Sequence, residues 1–190
     1  MSDTLKLGDQ MSLDFKKTTT LAQPFVQALE RSEDCFYAMV LNAKYLRAVL
    51  GKFKLWEWSD YVKWSVEGAF EYIRKTEYPH CCSRIMCNYF YEDLNSCKIL
   101  YEYDWGSASQ EERDQIHLFE IELEADSVEK RDMRVYDEAY LAMEEREDVK
   151  TVLACARRYF AGEQTENPVW ELLSDQSAKA VRDITKDLKK

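Results

Sequence analysis

Ile116-His117-Leu118-Phe119-Glu120-Ile121-Glu122-Leu123 is the stretch that decides the fold class. Successive side chains of an extended chain alternate, so His117, Phe119, Ile121 and Leu123 share one face and Leu118, Glu120 and Glu122 the other. One face is apolar and the other mostly charged, as expected of a strand packed on one side and wet on the other. His117 reads as a core histidine beside Phe119 and Ile121. The run Glu120-Glu122-Glu124-Asp126 reads first as a solvated strand face, with an acidic recognition strip as its alternative.

Working outward, Arg84 to Tyr91 also alternates, with Ile85, Cys87, Tyr89 and Tyr91 on one side, and predicts a second strand. Upstream of it, Val62, Val66, Ala69, Phe70 and Ile73 recur at helical spacing behind Ser59, a good N-cap, and Pro79 prevents continuation. Downstream, Asp93 caps a helix carrying Leu94, Cys97 and Tyr101 that ends by Gly106. Ser107 to Asp114 reads as a loop. From about Asp137 to Ala161 the apolar spacing predicts one long helix stopped by Gly162. Pro168 to Leu173 is a brief strand, and a last segment from Ser177 carries Val181, Ile184 and Leu188. Phe36, Val40, Ala43, Leu46 and Leu50 predict a helix before Gly51, and a short strand is expected near Leu5–Leu7 or Met11–Phe15. Strands that alternate, mixed with helices, make an α+β chain with an antiparallel or mixed sheet and flanking helices. No repeat and no Gly-, Pro- or Ser-rich linker divides it, so residues 1–190 form one domain, with 1–20 and 186–190 loosely held.

The chain has 36 acidic and 26 basic residues, a net charge of −10. Direct nucleic-acid binding is not expected, because phosphate contact needs concentrated Lys and Arg. Met1-Ser2-Asp3-Thr4-Leu5-Lys6 lacks the apolar core of a signal peptide, and no segment approaches the roughly 20 apolar residues of a membrane span. A cytoplasmic chain with reduced thiols follows, and its six cysteines (35, 81, 82, 87, 97 and 155) read as small buried hydrophobes. His80, Cys81, Cys82 and Cys87 do not have the CxxC pairing of a structural zinc site, so no metal is expected. The sequence has no Gly-rich phosphate loop, no GxSxG and no HExxH, which leaves nucleotide hydrolysis, serine hydrolysis and zinc proteolysis without support.

Three segments carry a family resemblance. The first is Glu71-Tyr72-Ile73-Arg74 followed by Tyr78-Pro79-His80-Cys81-Cys82-Ser83-Arg84. The second is the strand at 116–123 with the acidic turn and Tyr136-Asp137 after it. The third is Ala156-Arg157-Arg158-Tyr159-Phe160-Ala161-Gly162, a loop, and Val169-Trp170-Glu171-Leu172-Leu173. From about Glu57 to Ile184 the chain resembles an uncharacterised bacterial and phage family whose fold is similar to that of ADP-ribosyltransferases. The resemblance implies a split sheet that clamps NAD. It implies Glu171 as the carboxylate that stabilises charge developing on the ribose, and Ser83, Arg84 and Tyr89 as cofactor contacts.

The chain also departs from that pattern. The run Phe36-Tyr37-Ala38-Met39 carries no His to hold a cofactor, and no paired-glutamate motif precedes the last strand. A non-catalytic protein on the same scaffold therefore ranks first. It would be an acidic inhibitor or accessory factor, of the anti-defence kind carried by phages and mobile elements, binding a protein partner with a basic surface. Core packing is the default reading of the Trp56-Trp58-Tyr61-Trp64 cluster, but as a surface Trp56 and Trp58, with Glu120, Glu122 and Glu124, are the residues expected to meet that partner, since aromatic residues concentrate at interfaces. An NAD-dependent transferase is the alternative.

Overall fold

A computed structural model describes residues 6–11, 58–123, 128–147 and 149–188. The helix expected before Gly51, Trp56 and Glu124 lie outside them, as does Cys35. The order is β1 (Gln10–Met11), α1 (Trp58–Glu77), β2 (Asn88–Tyr91), α2 (Leu94–Trp105), α3 (Gln110–Asp114), β3 (Phe119–Leu123), β4 (Val128–Asp132), α4 (Met133–Glu144), α5 (Val149–Phe160), β5 (Trp170–Ser174), β6 (Ala178–Asp183) and α6 (Thr185–Leu188).

The chain is α+β, and among the described residues the strands form two three-stranded sheets, ordered β1-β6-β3 and β2-β5-β4. Among the described residues every strand pairing is antiparallel. The centre of each sheet is one of the two last strands, β5 and β6, which are adjacent in sequence but paired in different sheets. In β3 the expected alternation holds: Glu120 and Glu122 are exposed, while Phe119, Ile121 and Leu123 are half-buried.

The apolar stripe of α1 enters the core as its spacing predicts, with Val62, Val66, Ala69, Phe70 and Ile73 all buried. The helix already begins at Trp58, so Ser59 lies inside it rather than capping it. Phe70 meets the rings of Tyr136 at 5.2 Å and Tyr159 at 5.3 Å, both edge-to-face, the arrangement aromatic quadrupoles prefer. α1, α4 and α5 thus close a core over the face of β5 that carries Leu173. A second cluster, Cys97, Tyr101, Ile116, Leu118 and Leu188, joins α2 to the entry of β3 and to α6.

Three expectations are corrected, and one strand is new. The long helix at 137–161 is two helices, because Arg146 takes a left-handed conformation (φ 60°) and Glu147 N–H donates to Ala142 O at 2.9 Å, closing α4 without a glycine. The polar stretch 107–114 contains α3, closed by a capping box between Ser109 and Glu112. Arg84 does not open a strand: residues 84–86 form a turn, and β2 starts at Asn88. β4, with the sequence Val128-Glu129-Lys130-Arg131-Asp132, was not anticipated at all. Leu188 is buried against the α2 cluster, and residues 189–190 lie outside the described residues. At Gly162 the expected stop is present, with φ 77° and Glu163 N–H donating to Arg158 O at 3.0 Å. Among the described residues, no helix is long and apolar enough to cross a membrane.

Candidate functional site

Successive turns of one α1 face place Glu67 and Glu71 inward, four residues apart. Both carboxylates are buried, and each holds one of two consecutive residues of the facing turn. Ser83 Oγ donates to Glu71 Oε2 at 2.8 Å. Arg84 donates to Glu67 through Nε (3.1 Å) and Nη2 (3.2 Å), a two-pronged pair. Glu71 also takes two bonds from Arg74, whose Nη1 reaches the carbonyls of Pro79 and Cys81, so α1 itself shapes the 79–84 loop.

Arg84 is the centre of the site. Its Nη1 donates to Glu171 Oε1 at 2.5 Å and to Tyr159 Oη at 2.7 Å, while Tyr159 donates to the same Glu171 oxygen at 2.8 Å. The guanidinium lies 4.1 Å from the ring centre of Tyr136, 5.0 Å from Tyr159 and 5.1 Å from Tyr89. Tyr89 Oη in turn donates to the Arg84 carbonyl. Burial disfavours the Arg84 cation, but the carboxylates of Glu171 and Glu67 outweigh it and hold the group charged. Burial also pushes the Tyr159 and Tyr136 hydroxyls well above the usual phenol range, with Arg84 opposing in both cases.

The cluster ends a cavity of about 740 Å³ between α1, α2, β2 and the start of α4. That is within the ~300–1,000 Å³ of small-molecule sites. Glu67, Arg84, Tyr89 and Glu171 line it, as do Asp104 and Asp137. Three of the four residues expected around a cofactor therefore converge, Glu171, Arg84 and Tyr89, while Ser83 is turned away to Glu71. The expected partner-binding residues do not gather with them. Glu120 pairs with Arg182, and Glu122 stands opposite Lys179 in the β3–β6 ladder, so the described part of the acidic strip faces basic residues across the ladder. Trp58 starts α1, and its side chain lies outside the described residues.

Asp132 is a site residue the sequence did not announce. Its Oδ2 accepts from Thr165 N–H and Oγ1, both at 2.7 Å, and its Oδ1 from Arg134 and Val169 N–H, both at 3.0 Å. One carboxylate thus ties the end of β4, the first turn of α4 and the loop into β5, fixing Tyr136 and Glu171 relative to one another. Burial raises its pKa, but these hydrogen bonds prevail and hold it below the usual carboxylate range. The available signal was an Asp directly before a helix start.

Among the described residues the cysteines and histidines do not assemble. His80 is exposed, and Cys81 accepts a bond from Arg131 at 3.4 Å. Burial, and then the charge of Glu129, pushes the Cys82 thiol up to about 11. Among the described residues no group of three or more His, Cys, Asp or Glu is placed to hold a metal. His117 is half-buried, its ring 6.2 Å from that of Phe119.

Fold and site together define an α+β protein in which helices and antiparallel sheets enclose a Glu–Arg–Glu cluster at the inner end of a cavity. Residues 2–186 match the family described as "Protein of unknown function (DUF2441)", and the chain belongs to that family. No curated protein matches it in sequence.

Proposed function

We propose that the protein acts by binding and not by catalysis, as an acidic interaction protein on an ADP-ribosyltransferase-like scaffold. Its partner presents a basic surface, as expected of a phage or mobile-element inhibitor or accessory factor. The observation that carries this proposal is the commitment of Glu171. A transferase needs that carboxylate free to face the ribose as nicotinamide departs. Here the residue is 2% exposed and shares Oε1 between Arg84 at 2.5 Å and Tyr159 at 2.8 Å. Withdrawing it would strip a buried guanidinium of one of its two counter-charges. The excess of 36 acidic over 26 basic residues supplies the attraction for a basic partner.

One observation favours the transferase alternative: Glu171, Arg84 and Tyr89 line the same cavity. The two separate in one experiment, melting of wild type and Glu171→Gln with and without millimolar NAD. Gln keeps an acceptor for Arg84 and Tyr159, and Glu67 still neutralises the guanidinium, so this variant folds. A ligand at a hundred times its dissociation constant adds about 2.7 kcal/mol to the stability of the folded state. The binding proposal expects no NAD response in either protein, and capture of a basic partner that is lost as salt rises. An NAD-dependent rise in wild type, lost in Glu171→Gln, overturns it in favour of the transferase.

A further inference from the structure

The inner end of the cavity already holds a guanidinium, that of Arg84, against the rings of Tyr136 at 4.1 Å and Tyr89 at 5.1 Å and between two carboxylates. The outer part repeats the same chemistry. Trp64, Tyr91 and Tyr103 contribute rings, and Asp104 and Asp137 contribute carboxylates. Ring faces carry negative charge density and attract cations, the more so where water is excluded. In all, four carboxylates line the cavity (Glu67, Asp104, Asp137 and Glu171) against three cations (Lys63, Arg84 and Arg134). Arg84 is fully engaged by Glu67 and Glu171, and Arg134 reaches Asp137 only at 3.6 Å.

Two further features point to a ligand. Asn88 lines the cavity and is 8% exposed, yet among the described residues its Nδ2 has no hydrogen-bond partner, although a buried amide donor normally has one. At the mouth, Ile99 and Tyr103 stand one turn apart on α2 and are 43% and 83% exposed, an apolar lip on an otherwise charged helix face. Burial raises both Asp104 and Asp137, and Lys63 and Arg134 offset that only in part, so with four carboxylates against three cations the cavity keeps a net negative charge for an arriving cation to meet.

We propose that this cavity binds an organic cation, a guanidinium or ammonium group on an apolar stem. Asp104 and Asp137 are its counter-charges, and Trp64, Tyr91 and Tyr103 its ring walls. The Asn88 amide donates to an acceptor such as a carbonyl on the same ligand. The cation is either a free small molecule or the side chain of a basic partner. The inference rests on the proposal that the protein acts by binding.

The test is calorimetric titration of the full chain with two probes, arginine methyl ester and the blocked peptide acetyl-Gly-Arg-Gly-amide, each beside its citrulline counterpart. Citrulline keeps the shape and removes the guanidinium charge, and both esters are Nα-acetylated so that no other cation remains. The expected result is saturable one-to-one binding of at least one arginine probe, at least tenfold tighter than its neutral counterpart. Asp104→Asn and Asp137→Asn should each weaken it at least fivefold, and so should Tyr103→Ala, a change at an exposed position that leaves the core untouched. Circular dichroism and melting identify any variant that fails to fold, and the remaining ones then carry the comparison. Binding of the ester alone assigns the site to a free cation, and tighter binding of the peptide assigns it to a partner's side chain. Absence of saturable binding, equal binding of citrulline, or indifference to all three substitutions overturns the cation site. An NAD-dependent stabilisation overturns the binding proposal beneath it, so the two failures are distinguishable.

Discussion

Arg84→Met tests whether the buried cluster holds the site together. Arg84 sits between Glu67 at 3.1 Å and Glu171 at 2.5 Å, and all three side chains are almost wholly buried. Met fills much of the same volume but removes the only charge that both carboxylates face in this cluster. Breaking a buried ion pair by deleting one partner costs about 3–5 kcal/mol, because the other is left as an uncompensated charge. Two carboxylates are stranded here, so the upper end of that range applies. At ~2–4 °C per kcal/mol for a chain of this size, melting should fall by roughly 10–20 °C. Urea unfolding followed by tryptophan fluorescence and by circular dichroism measures the loss, with the slope checked for constancy. The decisive control is the triple variant Glu67→Gln, Arg84→Met, Glu171→Gln. Neutralising all three groups removes the stranded charges, and stability should return to within about 2 kcal/mol of wild type. A single variant within about 1 kcal/mol of wild type, or a triple variant no better than the single, would refute the claim that charge balance holds this site.

Three further outcomes follow from the same geometry. Asp132→Asn turns an amide donor toward N–H donors already in place and should cost about 2–4 kcal/mol. Because the folded Asp132 carboxyl lies below its unfolded value of about 3.9, its stabilisation is present above that pH and is lost as pH falls through the folded value. The stability of Asp132→Asn between pH 5 and 2 should therefore fall less steeply than that of wild type. Gly162→Ala places a side chain at φ 77° with nothing within 4 Å of the new Cβ, so only backbone strain acts. The expected loss is about 1 kcal/mol, and an unchanged melting temperature would contradict the left-handed stop. Cys82, with its thiol pushed up to about 11, should react with iodoacetamide at pH 7.5 far more slowly in the folded protein than in urea. Fast native labelling, read by peptide mass, would remove the burial on which that shift depends.

The sequence by itself determined the elements whose side chains sort by one strong period. The α1 stripe from Val62 to Ile73, the alternation of Phe119 to Leu123 and the stop at Gly162 were legible because burial on one face writes a repeat into the chain. Together they made the chain α+β. Glu171, Arg84 and Tyr89 were nameable as candidates, but only tertiary structure decided that they meet, since they come from β5, the 84–86 turn and β2. It also turned Ser83 to Glu71 and paired Glu120 with Arg182, because partners distant in sequence settle whether a charge is exposed, buried or neutralised. Strand β4 was illegible for the same reason. Glu129-Lys130-Arg131-Asp132 has no apolar alternation, and its extended form comes from pairing with β5 along the sheet edge. The break between α4 and α5 hides behind Arg146, where a non-glycine residue adopts φ 60° and no Gly or Pro marks the turn. Local preference fixes what a segment can become, whereas long-range hydrogen bonds and charge pairing choose among those possibilities, and they selected the residues that line the cavity.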